Sequence, residues 1–231
     1  MHVHVAFTPD ELAAAPTGVV IDVIRATSTI CQALASGYAR VLCAAEVEDA
    51  RALAAAGDVT LGGERLGVRI EGFDLGNSPR EYLAVRTPTL AMSTTNGTRA
   101  IVIAAERCER VLIASLLNLD AVTEAARAHG DDVAIFCAGV KGSFALDDSY
   151  VAGRMVDRLG DDRSDAAEAA VRLAASYSTP EEAFRASRSG RNLISHGPEL
   201  EADIPYCARE SVLDVVPRLV GMHGVAAEIR A

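Results

Sequence analysis

The sequence has no tryptophan and few other aromatic residues, which together make up 4% of its 231 residues. The core must therefore be built mainly from alanine, valine, leucine and isoleucine, in a chain that is 50% hydrophobic. A chain of this size buries about 70% of the surface that it exposes when unfolded, so it needs no disulfide or metal merely to fold. We expect one unit over residues 1–231, and a division into lobes 1–128 and 129–231 stays open.

The sequence also lacks the cysteine pattern of a disulfide framework or a structural zinc site. Its five cysteines are odd in number and scattered, with no CxxC pair, which is typical of buried thiols in a reducing compartment. The first residues lack a basic start followed by an apolar core, and charges interrupt every apolar run well before the ~18 residues of a membrane span. We expect a cytoplasmic protein that does not contact a membrane.

Positive charge is scarce. The 22 lysines and arginines face 32 acidic residues, so the formal net charge is -10. This balance repels a phosphate backbone and argues against general nucleic-acid binding. An anionic ligand therefore needs a local pocket of arginines and backbone amides.

Several enzyme signatures are missing as well. No cysteine is followed six positions later by arginine, and neither Arg-His-Gly nor Asp-x-Asp occurs. Cysteine, histidine and the commonest aspartyl phosphatase mechanisms are therefore disfavoured. The chain also has no P-loop and no GxGxxG segment, which argues against an NTPase or a dinucleotide-dependent dehydrogenase.

What the chain does contain is a recurring unit of a short β-branched run, a polar or glycine-bearing loop and an alanine-rich helical stretch. Val19–Val23 is a predicted strand, followed by a helix that begins at Thr27 or Ser28 and ends at Gly37. Later units predict strands at 40–44, 59–61, 89–92, 111–114 and 133–137, and helices at 47–56, 119–128, 147–159, 165–176 and 181–189. This alternation predicts a three-layer α/β/α fold with a mainly parallel or mixed sheet, or two α/β lobes with the site between them.

Polar residues cluster where these strands are predicted to end. In open α/β sheets ligands bind at that edge, because its loops lead into helix N-termini with free amides. Five successive loops of this kind favour a shared pocket. They carry Asp22 and Arg25, Glu64 and Arg65, Thr94–Asn96, Asn118, and Gly139 with Lys141.

Three segments are more specific. Thr94–Thr98 combines hydroxyls, an amide and a glycine at a helix start, which suits a tetrahedral anion, although ordinary capping fits equally well. The long loop 62–79 is dense in glycine and polar side chains, and its embedded apolar residues favour a functional loop over disorder. Asp147 and Asp148 open a helix, where acids also complement the helix dipole. Acids, arginines and anion-binding loops together suit metal-assisted phosphoryl chemistry on a small substrate.

Together these loops resemble the 2-phosphosulfolactate phosphatases. The matching segments are Asp22–Ile30, Gly63–Arg65, Gly72–Pro79, Thr94–Thr98 and Cys137–Gly139 leading to Asp148, with a weaker likeness at 203–204 and 215–217. The resemblance implies an α/β enzyme that uses Mg²⁺ to remove phosphate from (2R)-O-phospho-3-sulfolactate, a step toward coenzyme M. A phosphatase of another small phosphorylated hydroxy acid and a non-catalytic anion-binding protein stay open, as do a monomer and a homodimer.

The resemblance also implies roles for individual residues. Asp22, Arg25, Glu64 and Asp148 are the catalytic candidates, and one or two of Asp22, Glu64, Asp74 and Asp148 would contact the metal directly. The substrate-binding candidates are Arg65, Asn77, Ser78, Thr94, Thr95, Asn96, Gly97, Thr98 and Lys141.

Each of these roles has a structural alternative. Arg25 and Arg65 can pair with Asp22 or Glu64, and Asp74 can cap its own turn. The chain departs from the family pattern at Asp147, where the resemblance implies a glutamate. Because the shorter side chain would shift a metal ligand, Asp148 is preferred over Asp147.

Overall fold

In the computed structural model, which describes residues 1–231, ten strands form one mixed sheet. The strands are β1 (Val3–Ala6), β2 (Thr17–Ile21), β3 (Arg40–Cys43), β4 (Val59–Arg65), β5 (Val68–Arg69), β6 (Thr89–Ser93), β7 (Arg110–Ala114), β8 (Val133–Cys137), β9 (Arg218–His223) and β10 (Ala226–Arg230). The helices are α1 (Ala26–Ala35), α2 (Val47–Ala55), α3 (Gly97–Arg107), α4 (Leu119–His129), α5 (Leu146–Leu159), α6 (Asp165–Ala175), α7 (Pro180–Ala186), α8 (Arg188–Ser195), α9 (Pro198–Glu201) and α10 (Asp203–Cys207). The α/β prediction is confirmed.

The sheet consists of two parallel groups joined by an antiparallel hairpin. Its strand order is β1-β8-β2-β7-β9-β10-β3-β6-β4-β5. β1, β8, β2 and β7 are parallel to one another, as are β3, β6 and β4. β9 is antiparallel to β7 and to β10, and β10 is antiparallel to β3. The strands of the two groups therefore run in opposite directions.

Helices cover both faces of the sheet, and β2 shows how the sequence achieves this. Successive side chains of a strand point to opposite faces. Val19 and Ile21 pack in the apolar cluster of α4, α5 and α6, whereas Val20 packs in the cluster of α1 and α3. All five residues of β2 are buried, as expected of a strand that is covered on both faces.

Strands from either side of residue 128 share this sheet, because β8 lies between β1 and β2. No helix in the structure combines the length and the apolar character that a bilayer crossing requires.

Two segments differ from the sequence prediction in ways that shape the site. β4 continues into the predicted loop and pairs with β5, and the tip of this hairpin is Leu66 and Gly67, with φ angles of 56° and 86°. The helix predicted at 181–189 is divided at Ser187, whose backbone is extended and whose hydroxyl accepts a hydrogen bond from Gly190 N at 2.9 Å. A new helix, α8, therefore begins at Arg188.

The two strands at the end of the chain were not predicted from the sequence. The apolar run at 212–216 lies outside regular secondary structure, and the hairpin of β9 and β10 follows it. β9 is mostly exposed and contains Gly221, so it has neither the alternation nor the burial by which a strand is recognised in a sequence.

Candidate functional site

A cavity of about 400 Å³ opens where the carboxyl ends of the two parallel groups meet. The ends of β2 and β8 come from one group, and the ends of β4 and β6 come from the other. Short loops and α8 complete the wall. The lining residues are Asp22, Ile24, Arg25, Glu64, Leu66, Gly67, Asn77, Thr95, Asn96, Val140, Lys141, Arg188, Ser189, Arg191, Asn192 and Leu193.

Asp22 follows the last residue of β2 and is held by the first turn of α1. Its peptide N–H donates to Thr27 Oγ1 at 3.1 Å, and its carbonyl accepts from Thr27 N at 2.9 Å. Burial, together with the negative charges of Glu64 and Asp147, raises the pKa of Asp22 from 3.8 to about 7. Without a bound cation, Asp22 is therefore largely protonated below neutral pH.

Asp148 lies in the first turn of α5 and joins two strand ends. One carboxylate oxygen accepts from Val23 N at 2.9 Å, and the other accepts from Gly139 N at 3.0 Å. These bonds fasten the chain after β2 to the chain after β8. Burial and the charges of Asp147 and Asp22 raise the pKa of Asp148 well above its ordinary value. Direct metal contact by Asp148 stays a prediction.

Asp147 is the neighbouring acid that the sequence analysis ranked lower. It is buried, and its Oδ1 has no hydrogen-bond partner. Burial raises the pKa of Asp147 to about 6, while the hydroxyls of Ser189 and Ser187 act in the opposite direction. A buried oxygen without a partner costs free energy unless a ligand satisfies it. This oxygen makes Asp147 a stronger candidate ligand than its short side chain suggests.

Glu64 stands at the end of β4 and connects the hairpin tip with the loop before α3. Its Oε1 accepts from both the backbone N and the Oγ1 of Thr95, each at 2.9 Å. Its Oε2 accepts from Gly67 N at 2.7 Å. The carboxylate is thus fixed at the cavity wall by donors from two different loops.

The start of α3 lies directly against Asp22, and only glycine permits this approach. A Cβ atom on Gly97 would lie 2.7 Å from Ala26 Cβ and 3.0 Å from Asp22 Oδ2. The preceding Asn96 accepts a hydrogen bond from Lys141 N at 3.2 Å, which links this loop to the one after β8. Of the segment predicted to cradle an anion, Thr95 and Asn96 line the cavity.

Arg25 lines the cavity but is also part of a buried ion pair. Its Nη1 donates to Asp203 Oδ2 at 2.8 Å, and its Nη2 donates to the carbonyl of Gly67 at 2.7 Å. Asp203 also accepts from Arg80 Nε at 2.8 Å and from the Ser78 hydroxyl at 2.5 Å. The alternative that paired Arg25 with Asp22 or Glu64 is wrong, because its partner lies 178 residues away in the chain.

The structure does not bring every predicted residue to the cavity. Asp74 is exposed and accepts from Leu61 N at 2.8 Å, so it binds a backbone group of β4 and not, as the alternative predicted, one of its own turn. The Arg65 guanidinium donates to the carbonyls of Glu64 and Ala45 and to the Ser93 hydroxyl. The buried residues Ser78, Thr94, Thr98, Asp147 and Asp148 are not among the residues that line the cavity, and neither is Gly97.

The contribution of α8 was not predicted from the sequence. This helix supplies Arg188, Ser189, Arg191, Asn192 and Leu193 to the wall. No motif marks these residues. Arg188 and Arg191 are three positions apart and would share a face of one helix. The predicted helix ended at Ser189, so only Arg188 fell within it. Asp203 was also missed as a site residue, because nothing in the sequence reveals that Arg25 reaches it.

The cavity offers oxygen ligands to a cation but no complete cage. No group of three or more histidine, cysteine or acidic side chains is arranged to hold a metal. The buried atoms without partners include Asp147 Oδ1, Asn77 Oδ1 and Thr94 Oγ1. Mg²⁺ prefers oxygen ligands and commonly binds through one or two carboxylates while keeping several waters. The residues present fit that mode of binding.

Comparisons with known proteins agree on one family. The family model described as 2-phosphosulpholactate phosphatase matches residues 4–221. A protein of Thermotoga petrophila named probable 2-phosphosulfolactate phosphatase is 42% identical over 208 residues, which cover 88% of this chain and 89% of the relative. A protein of Thermus thermophilus with the same name is 40% identical over 234 residues, covering 98% of each chain. One of Clostridium botulinum, also so named, is 33% identical, covering 91% of this chain and 92% of the relative.

Proposed function

Because the chain belongs to the 2-phosphosulpholactate phosphatase family, we propose that it hydrolyses (2R)-O-phospho-3-sulfolactate to (2R)-3-sulfolactate and phosphate with Mg²⁺. One observation carries the proposal: buried carboxylates, backbone and side-chain amides, and cationic side chains line a single cavity. A phosphate monoester requires this combination, because its dianion repels an attacking oxygen nucleophile until positive charge and hydrogen-bond donors compensate it.

The start of α3 and Lys141 are our candidates for binding the phosphoryl group. Thr95 and Asn96 line the cavity immediately before α3, and a helix N-terminus favours a negative charge. Lys141 lies on the same wall and its side chain forms no ion pair. Its ammonium is therefore free to neutralise phosphoryl oxygens.

Asp22 and Asp147 are our candidates for holding Mg²⁺. The negative charge of Asp147 helps raise the pKa of Asp22, and Asp147 Oδ1 has no other partner. When bound, the ion supplies positive charge to the phosphoryl oxygens and lowers the pKa of a coordinated water. Asp148 then acts as a positioning residue, because its two hydrogen bonds fasten the chain after β2, which carries Asp22, to the chain after β8.

Glu64 is our candidate general base. Its Oε2 accepts a single protein hydrogen bond, from Gly67 N, so it retains a lone pair for the attacking water. The donors from Thr95 and Gly67 prevent the carboxylate from rotating. A fixed base within reach of the water contributes about 10²–10⁴-fold to the rate.

Phosphate release from phosphosulfolactate, measured with Mg²⁺ and after chelation by EDTA, tests the proposal. We expect turnover that EDTA abolishes and Mg²⁺ restores, and a fall of about 10²-fold or more in kcat for Glu64→Gln. Asp157→Asn is the matched control, because Asp157 is exposed on α5. Faster turnover of another phosphorylated hydroxy acid than of phosphosulfolactate would support the alternative substrate and keep the phosphatase activity. Tight anion binding without turnover would support the non-catalytic alternative.

A further inference from the structure

Helix α8 presents two arginines to the cavity that the phosphoryl chemistry does not use. Arg188 and Arg191 are three positions apart, which places them on neighbouring turns of one helix face. Both line the cavity, and neither takes part in an ion pair. Arg191 Nη1 donates to the carbonyl of Ala186, which leaves the rest of its guanidinium available.

The helix that carries them is held firmly in place. Ser187 caps its first turn, and Leu193 is only 2% exposed and packs in the core. A Cβ atom on Gly190 would lie 1.9 Å from the carbonyl oxygen of Phe184, so this glycine allows α8 to pack closely against α7. The arginines therefore project from a fixed element, as a precise binding site requires.

α8 lies beside both the acidic centre and the hairpin tip. Burial raises the pKa of Asp147, and the hydroxyls of Ser189 and Ser187 partly offset that rise. At the hairpin tip, the position of a Cβ on Gly67 is 3.0 Å from Asn192 Nδ2. Arg188 and Arg191 thus line the same cavity as Asp22 and Glu64, on the wall that α8 and the hairpin tip form. Lys141 and the residues before α3 contribute other side chains to this lining.

We infer that Arg188 and Arg191 form the subsite for the sulfonate of the substrate, an inference that rests on the proposed function. The substrate carries a sulfonate and a carboxylate in addition to its phosphate. In a chain with a net charge of -10, each strong anion needs a local cation. A guanidinium matches an oxyanion with two parallel N–H donors, which makes arginine a geometrically selective partner.

The test compares two substrates that differ in the sulfonate. We would measure kcat/KM for phosphosulfolactate and for O-phospholactate with wild type, Arg188→Ala and Arg191→Ala. Each variant should lower kcat/KM for the sulfonated substrate about 10- to 100-fold, mainly through KM. For O-phospholactate the change should stay within about threefold. Arg188→Lys should restore part of the loss, because it returns the charge without the planar donors.

Arg172→Ala is the matched control, because Arg172 is 80% exposed on α6 and pairs only with Glu168. It should leave the preference for the sulfonated substrate unchanged. Thermal unfolding of every variant separates a binding effect from misfolding. Equal losses on both substrates, or no loss on either, would overturn the inference.

If the wild type hydrolyses neither substrate, the proposed function fails, and calorimetry tests the subsite separately. The probes are then 3-sulfolactate and lactate. Tighter binding of 3-sulfolactate to the wild type, reduced at least tenfold in Arg188→Ala, would support the subsite. Equal affinities for the two probes, binding of neither probe, or an unchanged affinity in the variant would refute it.

Discussion

Asp203 is the carboxylate on which the position of Arg25 depends, and its replacement gives a direct test of the buried network. Its side chain is fully buried, and that of Arg25 is 3% exposed. In Asp203→Asn the volume stays nearly constant, but the negative charge that pairs with Arg25 and Arg80 disappears. The guanidinium of Arg25 then remains inside the protein without a counter-charge, because the carbonyl of Gly67 is its only other partner.

The expected cost follows from burial rather than from the distance between the atoms. Removal of one partner of a buried ion pair typically destabilises a protein by about 3–5 kcal/mol, because an uncompensated charge stays desolvated. In a chain of this length that loss lowers Tm by roughly 6–20 °C. The Ser78 hydroxyl, which donates to Asp203, would also lose its charged acceptor.

Urea and thermal unfolding of Asp203→Asn and Asp161→Asn would measure this cost. Asp161 pairs with Arg163 at 2.7 Å, but its side chain is 100% exposed, so solvent screens the pair and its loss should leave the unfolding free energy unchanged. The two variants have the same chemistry and nearly the same contact distance. Equal stability of both variants would refute the claim that burial makes the Arg25–Asp203 pair essential.

Two further predictions concern the acidic centre. Gly97→Ala should lower turnover at least tenfold and destabilise the fold by about 1–3 kcal/mol, because the added Cβ would meet Ala26 and Asp22. Gly57→Ala is the control and should do neither, because a Cβ there has no atom within 4 Å. Equal activity of the two variants would contradict the close approach of Gly97 to Asp22. In the metal-free protein, the contribution of Asp22 to the free energy of unfolding should fall as pH rises from about 4 to 7, because burial raises the pKa of Asp22 from 3.8 to about 7 and the folded state binds the extra proton. This shift corresponds to at most ~4 kcal/mol. In urea titrations across that pH range, the contribution of Asp22 should be absent from the free energy of unfolding of Asp22→Asn. The same pH dependence in this variant and in the wild type would contradict the burial of Asp22.

Much of the site was predictable because it follows from local chemistry and a general rule of sheet topology. Hydrophobic runs and capping residues marked the strand ends, and the polar residues beyond them included Asp22, Glu64, Asn96 and Lys141. All four line the cavity. The rule held for both groups of strands, because residues that follow β2, β6 and β8 and one at the end of β4 line a single cavity.

Other features depend on contacts between distant parts of the chain. Arg25 pairs with an acid 178 residues away, and the exposed β9 is a strand because it pairs with β10 and, through Arg218, with β7. α8 reaches the cavity because Ser187 divides a predicted helix. None of these contacts leaves a periodic pattern in the sequence.

The sequence by itself determined the alternation of strands and helices, the net negative charge and the polar loops that end the strands. Only the tertiary structure decided which carboxylates lose their solvent, which oxygens lack partners and which arginines stay unpaired at the cavity. The physical reason is that periodicity and capping act between neighbouring residues. Burial and charge pairing depend instead on which distant segments pack together, and no local pattern in the sequence reveals those contacts.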